Sequence, residues 1–405
     1  MFTIYRKFLN WDITNFFCVA LGLFLSIWPY SSGWSISVGF GNPGIFTFLL
    51  MGLLYFTPLI LMKYEIQFPY RKLLLAFFLI NAVFLPFIVS VFGVRLMVKF
   101  AYSLLFYLFL CNTIRENKNL EKIFLIAITG AAIITTVWCY RCLFVLHSPF
   151  LVPYWNPYPG SAIGKNIVGA FFIVMFPFAY AALMNKKFPF LISLYYVVLF
   201  GFSLLYTISR ASLLGLGLCP LLFVLVGHKK HRAKYAFFLS GLAMVLLALQ
   251  VYFGIGIETF NKFKKAESFF FIRNESFQES SRGHRILLGF EGFKKHPFLG
   301  NGIGTYQAEI GGESHNEYAT FVFEFGMIGC GLYFGFVGLL MWRFLKIKNE
   351  VLPRYRWLWE ALMVSLLLCF FNAFFANFIL GALCWFIFGS CVTMTLCVKR
   401  ENRTS

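Results

Sequence analysis

The chain has 405 residues, of which 60% are hydrophobic and only 13% are charged. Soluble domains average about 25% charged residues, so this composition excludes an ordinary soluble protein. Uncharged runs near the ~20 residues that span a bilayer recur along the chain and predict an all-α polytopic membrane protein. The net charge of +19 is attributed to the basic loops that orient membrane spans, and it is no evidence for a nucleic-acid partner.

Hydropathy predicts about twelve spans, and the first apolar run is expected to stay as a span rather than be cleaved as a signal peptide. Tight joins are predicted at 93–96, 208–210 and 377. The predicted spans lie near 13–30, 44–62, 73–92, 97–113, 123–145, 167–184, 189–207, 211–227, 235–256, 317–342, 357–376 and 378–397.

The predicted organisation has three parts. Spans one to nine occupy 1–256, one long periplasmic loop with short amphipathic helices occupies 257–316, and spans ten to twelve with a cytoplasmic tail occupy 317–405. Most of the 35 basic residues fall on the side that holds both termini. The positive-inside rule therefore predicts that both termini are cytoplasmic.

Two short stretches place polar residues at the outer ends of predicted spans. Lys165 and Asn166 begin span six, and Arg210 lies in the tight apolar join between spans seven and eight. An arginine in such a join fits an anion site at the outer membrane face. Snorkelling of the side chain to the membrane surface is the alternative.

The stretch "SSRGHRILLGFEGFKKHPFLGNGIGTY" (280–306) predicts a short amphipathic helix inside the long loop. Ser280 or Ser281 can cap the helix, and Pro297 ends it. One face carries an apolar stripe at helical spacing. The stripe consists of Ile286, Phe290 and Phe293.

Arg282 and Arg285 share another face near the start of this helix. A helix N-terminus carries free N–H groups and a partial positive charge, so two arginines there predict an anion site. An interfacial helix with snorkelling arginines is the alternative. The "GNGIG" sequence at 300–304 predicts a tight turn rather than a nucleotide loop, because no GK[ST] follows it.

The stretch "SHNE" (314–317) has the spacing of a capping box. This spacing predicts Ser314 as the N-cap, His315 in the first helical turn and Glu317 reaching back to the cap. The helix dipole there disfavours an imidazolium, so His315 is a candidate general base. A structural cap is the alternative. Glu324 lies about two turns deeper, where it could orient a histidine or arginine or pair within the bundle.

The sequence shows no metal-ligand pattern on the predicted outer side. The only aspartate is Asp12, on the predicted cytoplasmic side, and the loop glutamates lack the spacing of a metal site. We therefore expect chemistry that needs no metal and no cofactor, with arginines in the place of a cation.

The ordered set of motifs resembles the O-antigen ligase and polymerase superfamily of bacterial envelopes. It comprises "SRASLLGL", then "SR" followed by "KKHPFLGNGIGTY", then "HNEYATFVFEFGMIG". Two positions depart from the family pattern: Ile286 replaces a frequent tryptophan, and Asn301 replaces the valine of a Gly-Val-Gly turn. Neither change removes a charged group.

The resemblance implies an inverting glycosyltransferase of the bacterial inner membrane with a periplasmic active site. The donor would be a glycan on undecaprenyl pyrophosphate, and the acceptor would be a sugar hydroxyl of lipid A–core. The family's essential arginines and histidine match Arg210, Arg282 and His315. Further substrate-binding candidates are Arg285, Lys165, Asn166, Glu317 and Glu324.

Three other functions are weighed against a ligase. A polymerase would join lipid-linked repeats with the same residues, and a relative that glycosylates periplasmic proteins would use another acceptor. A transporter of lipid-linked glycans usually shows paired half-repeats and charges near the midplane, and no matching halves are found here. The ligase is favoured.

Overall fold

The structure is a computed structural model. It describes residues 18–23, 66–84, 91–148, 151, 165–207, 209–227, 232, 235, 281–310, 316–374 and 382–404. All regular structure in these ranges is helical. The α-helices are α1 (Arg71–Phe84), α2 (Val91–Thr113), α3 (Asn117–Tyr140), α4 (Lys165–Met184), α5 (Phe190–Tyr206), α6 (Arg210–Val226), α7 (Ser281–Lys295), α8 (Thr305–Ile310), α9 (Glu317–Lys346), α10 (Arg356–Asn372) and α11 (Ala382–Thr404).

Four helical stretches of the described chain are long and apolar enough to cross a membrane. These are Leu96–Thr113, Asn117–Val145, Glu317–Asn349 and Leu383–Asn402. Shorter apolar helices occupy Val168–Met184, Phe190–Tyr206 and Ala211–Val226. The described part of the chain is thus all helical and has the spans of a multi-pass membrane protein, as predicted. The number of twelve spans stays a prediction.

The helices pack as one bundle around α4, α10 and α11. Helix α10 packs on α4, α6 and α11, and α11 packs on α2. Helix α10 is apolar and buried on nearly all sides, as expected for a helix at the centre of a bundle. Aromatic side chains fill the neighbouring core, where Phe336 stacks on Trp385 with ring centroids 5.7 Å apart.

The predicted joins are partly right. Helix α5 ends at Tyr206 and α6 begins at Arg210, which confirms the tight join at 208–210. The join at 93–96 is wrong, because α2 begins at Val91 and continues through it. A glycine such as Gly93 costs a helix only about 1 kcal/mol, so it need not end one.

The predicted join at 377 lies outside the described residues. Helix α10 ends at Asn372, and the description resumes with α11 at Ala382. The end of α10 is fixed by a tertiary contact, in which the N–H of Glu317 donates to the carbonyl of Ala373 over 2.9 Å.

One end of the bundle, here called the basic end, gathers the charged loops. Lys187 Nζ pairs with Glu121 over 2.7 Å and donates to the carbonyl of Arg354 over 2.9 Å. Lys348 Nζ donates to the carbonyl of Val226 over 2.9 Å, where α6 ends. These residues belong to the segments that the sequence places on the cytoplasmic side, and the C-terminal helix α11 ends here.

Candidate functional site

The other end of the bundle, here called the site end, holds the start of α9. Asn316 is the N-cap of this helix, and its Oδ1 accepts the N–H of Ala319 over 3.1 Å. The prediction that Ser314 caps the helix is therefore wrong, and α9 begins after His315 rather than before it. Both residue types are good caps, and the contact of Glu317 with Ala373 selects the later start. Ser314 and His315 themselves lie outside the described residues.

Helix α9 is broken at Gly326, which has φ 58° and ψ −165°. This backbone conformation is open essentially to glycine alone. A break inside an apolar helix frees N–H and C=O groups that have no water to bind, so it is tolerated only where protein groups replace the missing bonds.

The "HPFLGNG" turn after α7 supplies those missing bonds. Before the break, the carbonyls of Phe323 and Glu324 accept the N–H groups of Asn301 and Gly302, each over 2.9 Å. The Asn301 side chain also donates to the Phe323 carbonyl over 2.9 Å and to the Gly292 carbonyl over 3.3 Å. Both carbonyls that precede the break thus have hydrogen-bond partners in the turn.

After the break, the N–H groups of Met327 and Ile328 donate to the carbonyls of Pro297 and Phe298 over 2.8 and 3.0 Å. Gly300 has φ 74°, and a Cβ atom there would collide with the backbone of Glu324. The predicted tight turn at 300–304 is thus confirmed, and its backbone lies directly against the broken helix.

Helix α7 packs on α9 through its glycines. A Cβ at Gly292 would overlap the ring of Phe323, and one at Gly289 would lie 3.6 Å from the Cβ of Ala319. The predicted apolar stripe is not the packing face, because Phe290 is 47% exposed while both glycines are buried. Because these two residues have no side chain, the two helices can approach each other closely.

The register of this packing sets the direction of α7. Gly289 meets Ala319 and Gly292 meets Phe323, so α7 and α9 run parallel. Both helices therefore begin at the site end. Arg282 and Arg285 lie in the first turns of α7, level with the residues that lead into α9.

Tyr306 connects α7 to α9 at the start of α8. Its hydroxyl donates to the carbonyl of Arg285 over 2.6 Å, and its backbone N–H donates to Glu324 Oε1 over 3.3 Å. Burial raises the pKa of Tyr306 to about 12, with Glu324 adding to the rise and Arg285 opposing it. The phenol therefore stays a donor at physiological pH.

Glu324 is buried, with an exposed fraction of 2%. Its carboxyl group accepts backbone N–H groups from Gly304 and Tyr306, so it is hydrogen-bonded within the protein. Glu317 is also buried, at the first turn of α9.

Helices α4 and α6 also begin at the site end. A Cβ at Gly169 of α4 would collide with Ser212 Oγ of α6 and would lie 3.4 Å from Thr207 Oγ1. Ser365 of α10 donates to the Val174 carbonyl of α4 over 2.8 Å. From Ser365, α10 continues to its end, where the carbonyl of Ala373 accepts the N–H of Glu317 at the start of α9. The starts of α4, α6 and α9 therefore lie at the same end of the bundle.

The structure thus brings the backbones of most predicted site residues to one end. Lys165 and Asn166 are the first residues of α4, Arg210 is the first of α6, and Arg282 is the second of α7. For these four residues the structure describes the backbone alone. His315 lies outside the described residues and directly precedes Asn316.

Three structural residues of the site end went unrecognised in the sequence. Asn301, Tyr306 and Gly326 hold α7, the turn and the broken helix together. The quoted motifs contain all three, but only the three-dimensional contacts distinguish them from their neighbours. In the ranges that the structure describes, no group of three or more His, Cys, Asp or Glu side chains could hold a metal ion.

Comparison with known proteins agrees with this picture. Residues 195–334 match a family model described as Wzy_C: O-antigen ligase. The match begins in α5 and runs through α6, α7, the turn and α8 into α9, so it covers the arginines, the broken helix and His315. No curated protein matches the chain. The family joins glycans and uses lipid-linked glycan substrates. Residues 195–334 are therefore a Wzy_C O-antigen ligase domain, carried by a chain that has several helices apolar enough to cross a membrane.

Proposed function

We propose that the protein is an O-antigen ligase of the bacterial inner membrane. It transfers O-antigen glycan from undecaprenyl pyrophosphate to a sugar hydroxyl of lipid A–core at the periplasmic face. The observation that carries the proposal is the common end of α4, α6, α7 and α9, where Arg210, Arg282 and the residue after His315 all lie. The family match supports the same reaction class.

The charge at this end suits a pyrophosphate leaving group. Helices α4, α6, α7 and α9 begin there, and a helix start carries a partial positive charge that favours anions. In the proposed mechanism Arg210 and Arg282 bind the pyrophosphate and stabilise the negative charge that develops as its bond to the sugar breaks. Arg285, Lys165 and Asn166 are proposed to extend this anion site.

His315 is the proposed general base. It takes the proton of the acceptor hydroxyl while that oxygen attacks the anomeric carbon of the donor glycan. The new glycosidic bond forms as the bond to undecaprenyl pyrophosphate breaks, so one direct displacement inverts the anomeric centre. No metal takes part in this proposal.

The opposite positions of the two ends support the predicted orientation. The basic end carries the lysines and arginines that the positive-inside rule assigns to the cytoplasm, and the site end lies across the bundle from it. Glu317 and Glu324 lie buried beneath the site end, where we propose that they shape the site from below.

The first experiment is a lipopolysaccharide gel from cells that lack this chain, with a blot for lipid-linked glycan. Bare core with long polymer on the carrier lipid is the expected result. Core capped by a single repeat would instead identify a polymerase, and an unchanged ladder would refute both activities.

The second experiment measures transfer by purified variants in the presence of a metal chelator. We expect His315→Ala and Arg282→Ala each to lower the rate by at least about 10²-fold, the usual contribution of a general base or a charge-stabilising donor. His296→Ala and Arg115→Ala are matched controls, because both residues are exposed and lie away from the start of α7. An active, well-expressed His315→Ala protein would refute the base assignment.

A further inference from the structure

We propose that Tyr306 and Glu324 are positioning residues that hold the arginine-bearing start of α7 beside the start of α9. Neither side chain is assigned to touch the reacting atoms. The catalytic consequence of this proposal rests on the proposed function, whereas its structural part does not.

Glu324 anchors this arrangement from inside the broken helix. A polar group buried in a protein is costly unless it is hydrogen-bonded, and the carboxyl group of Glu324 accepts the N–H groups of Gly304 and Tyr306. These two bonds fix the first turn of α8 against α9. Glu324 therefore holds the backbone of Tyr306 in place.

Tyr306 transmits the position of α8 to α7. Its ring is 1% exposed and meets the ring of Phe323 edge-on, with centroids 5.2 Å apart. The ring also fills the space beside Gly289, where a Cβ would lie 3.1 Å from Cε2. In this position the Tyr306 hydroxyl donates a hydrogen bond to the carbonyl of Arg285 over 2.6 Å.

The hydrogen bond from Tyr306 to the Arg285 carbonyl lies close to the part of α7 that carries the arginines of the proposed anion site. The carbonyl of Arg285 belongs to the second turn of α7, and Arg282 lies one turn nearer the helix start. A fixed carbonyl there sets both the rotation of α7 and its height along α9. Small errors in the placement of binding groups are costly, with about 10²-fold lost for a 1 Å displacement.

Tyr306→Phe tests the proposal with a matched control. Tyr107→Phe removes the same hydroxyl from a buried tyrosine that donates to the carbonyl of Pro69 over 3.1 Å, at the basic end. Hydrogen exchange is measured by mass spectrometry on 281–289, and affinity is measured with farnesyl pyrophosphate as the probe. The unfolding temperature of both variants is recorded.

The expected result is local. In Tyr306→Phe, exchange across 281–289 rises by about 3- to 10-fold, the loss that one hydrogen bond carries. The affinity for farnesyl pyrophosphate falls by a similar factor, while the unfolding temperature stays close to that of Tyr107→Phe. Exchange and affinity equal to those of Tyr107→Phe would overturn the proposal.

A second pair of variants separates positioning from general damage. Glu324→Gln keeps an acceptor oxygen for one N–H group, and Glu324→Ala keeps none. We expect the glutamine variant to restore most of the farnesyl pyrophosphate affinity that the alanine variant loses. Equal affinities in the two variants would refute the role of Glu324 as an acceptor.

The two levels of the proposal fail in different ways. A wild-type protein that does not bind farnesyl pyrophosphate would overturn the proposed function, while faster exchange in Tyr306→Phe would still support the positional role. A wild-type protein that binds the probe, together with a Tyr306→Phe protein unchanged in exchange and affinity, would overturn the positional role alone.

Discussion

The substitution Gly326→Ala should release the turn from the broken helix α9. Gly326 has φ 58° and ψ −165°, and an added Cβ would lie 2.5 Å from the backbone nitrogen of Gly300 and 2.6 Å from the carbonyl oxygen of Phe298. The strained backbone costs about 1–3 kcal/mol, and the overlap costs about 1–3 kcal/mol more. We expect a loss of about 4 kcal/mol in the local stability of this contact.

Hydrogen exchange in detergent or nanodiscs measures this loss directly. Each 1.4 kcal/mol is a factor of ten, so exchange should accelerate about 10³-fold at the amides that bridge the break, if these open locally. The bridging amides are those of Asn301, Gly302, Met327 and Ile328. Exchange in α10, which lies away from the turn, should change far less.

Gly335→Ala is the matched control in the same helix. A Cβ at Gly335 meets nothing within 4 Å, and alanine is the better helix former by about 1 kcal/mol. The control should therefore exchange as the wild type does, or more slowly. If Gly326→Ala and Gly335→Ala behave alike, the turn does not depend on the glycine at the break and the reasoning is refuted.

Two further predictions concern the contact of α7 with α9. Gly292→Ala should loosen the packing of α7 on α9 and lower glycan transfer, because the new Cβ would overlap the Phe323 ring. Gly338→Ala is the control: its Cβ meets open space, so transfer should stay unchanged. Equal transfer by the two variants would contradict the glycine packing. Burial raises the pKa of Tyr306 from the ordinary ~10 to about 12, so its stabilisation is complete below about pH 10 and is lost as the pH rises through 12. Unfolding free energies measured across this window should fall more steeply for the wild type than for Tyr306→Phe.

Much of the fold could be predicted from the sequence. Long uncharged runs predicted the membrane spans, and Pro297 with the upstream serines predicted the loop helix that the structure places at Ser281–Lys295. These features are local, because hydropathy and helix-ending residues act over one element. The start of α2 was misplaced, because Gly93 does not end the helix. Helix α10 ends at Asn372 rather than near 376, and the carbonyl of the following residue, Ala373, accepts the N–H of Glu317.

The break in α9 could not be predicted in the same way. The sequence "FEFGMIG" is apolar apart from Glu324 and allows an unbroken helix. Gly326 leaves helical geometry because the turn after α7 supplies partners for the freed backbone groups, and that turn lies more than twenty residues earlier in the chain. A conformation that depends on a distant partner leaves no signal in the local pattern.

The cap of α9 and the packing face of α7 show the same limit. Ser314 and Asn316 are both good caps, so residue type alone could not choose between them. The sequence predicted an apolar stripe on α7 but did not identify the face that packs, which the structure places at Gly289 and Gly292. Hydropathy does not mark small residues as a contact surface.

The forces that hold the two ends of the bundle differ, and this difference bears on the chemistry. Two salt bridges lie at the basic end, between Lys118 and Glu116 and between Lys187 and Glu121. The site end is held by backbone hydrogen bonds, by close glycine contacts and by the side chains of Tyr306 and Asn301. These contacts join uncharged groups, so they contribute to the stability of the site end without any charge on the arginines that are proposed to bind pyrophosphate.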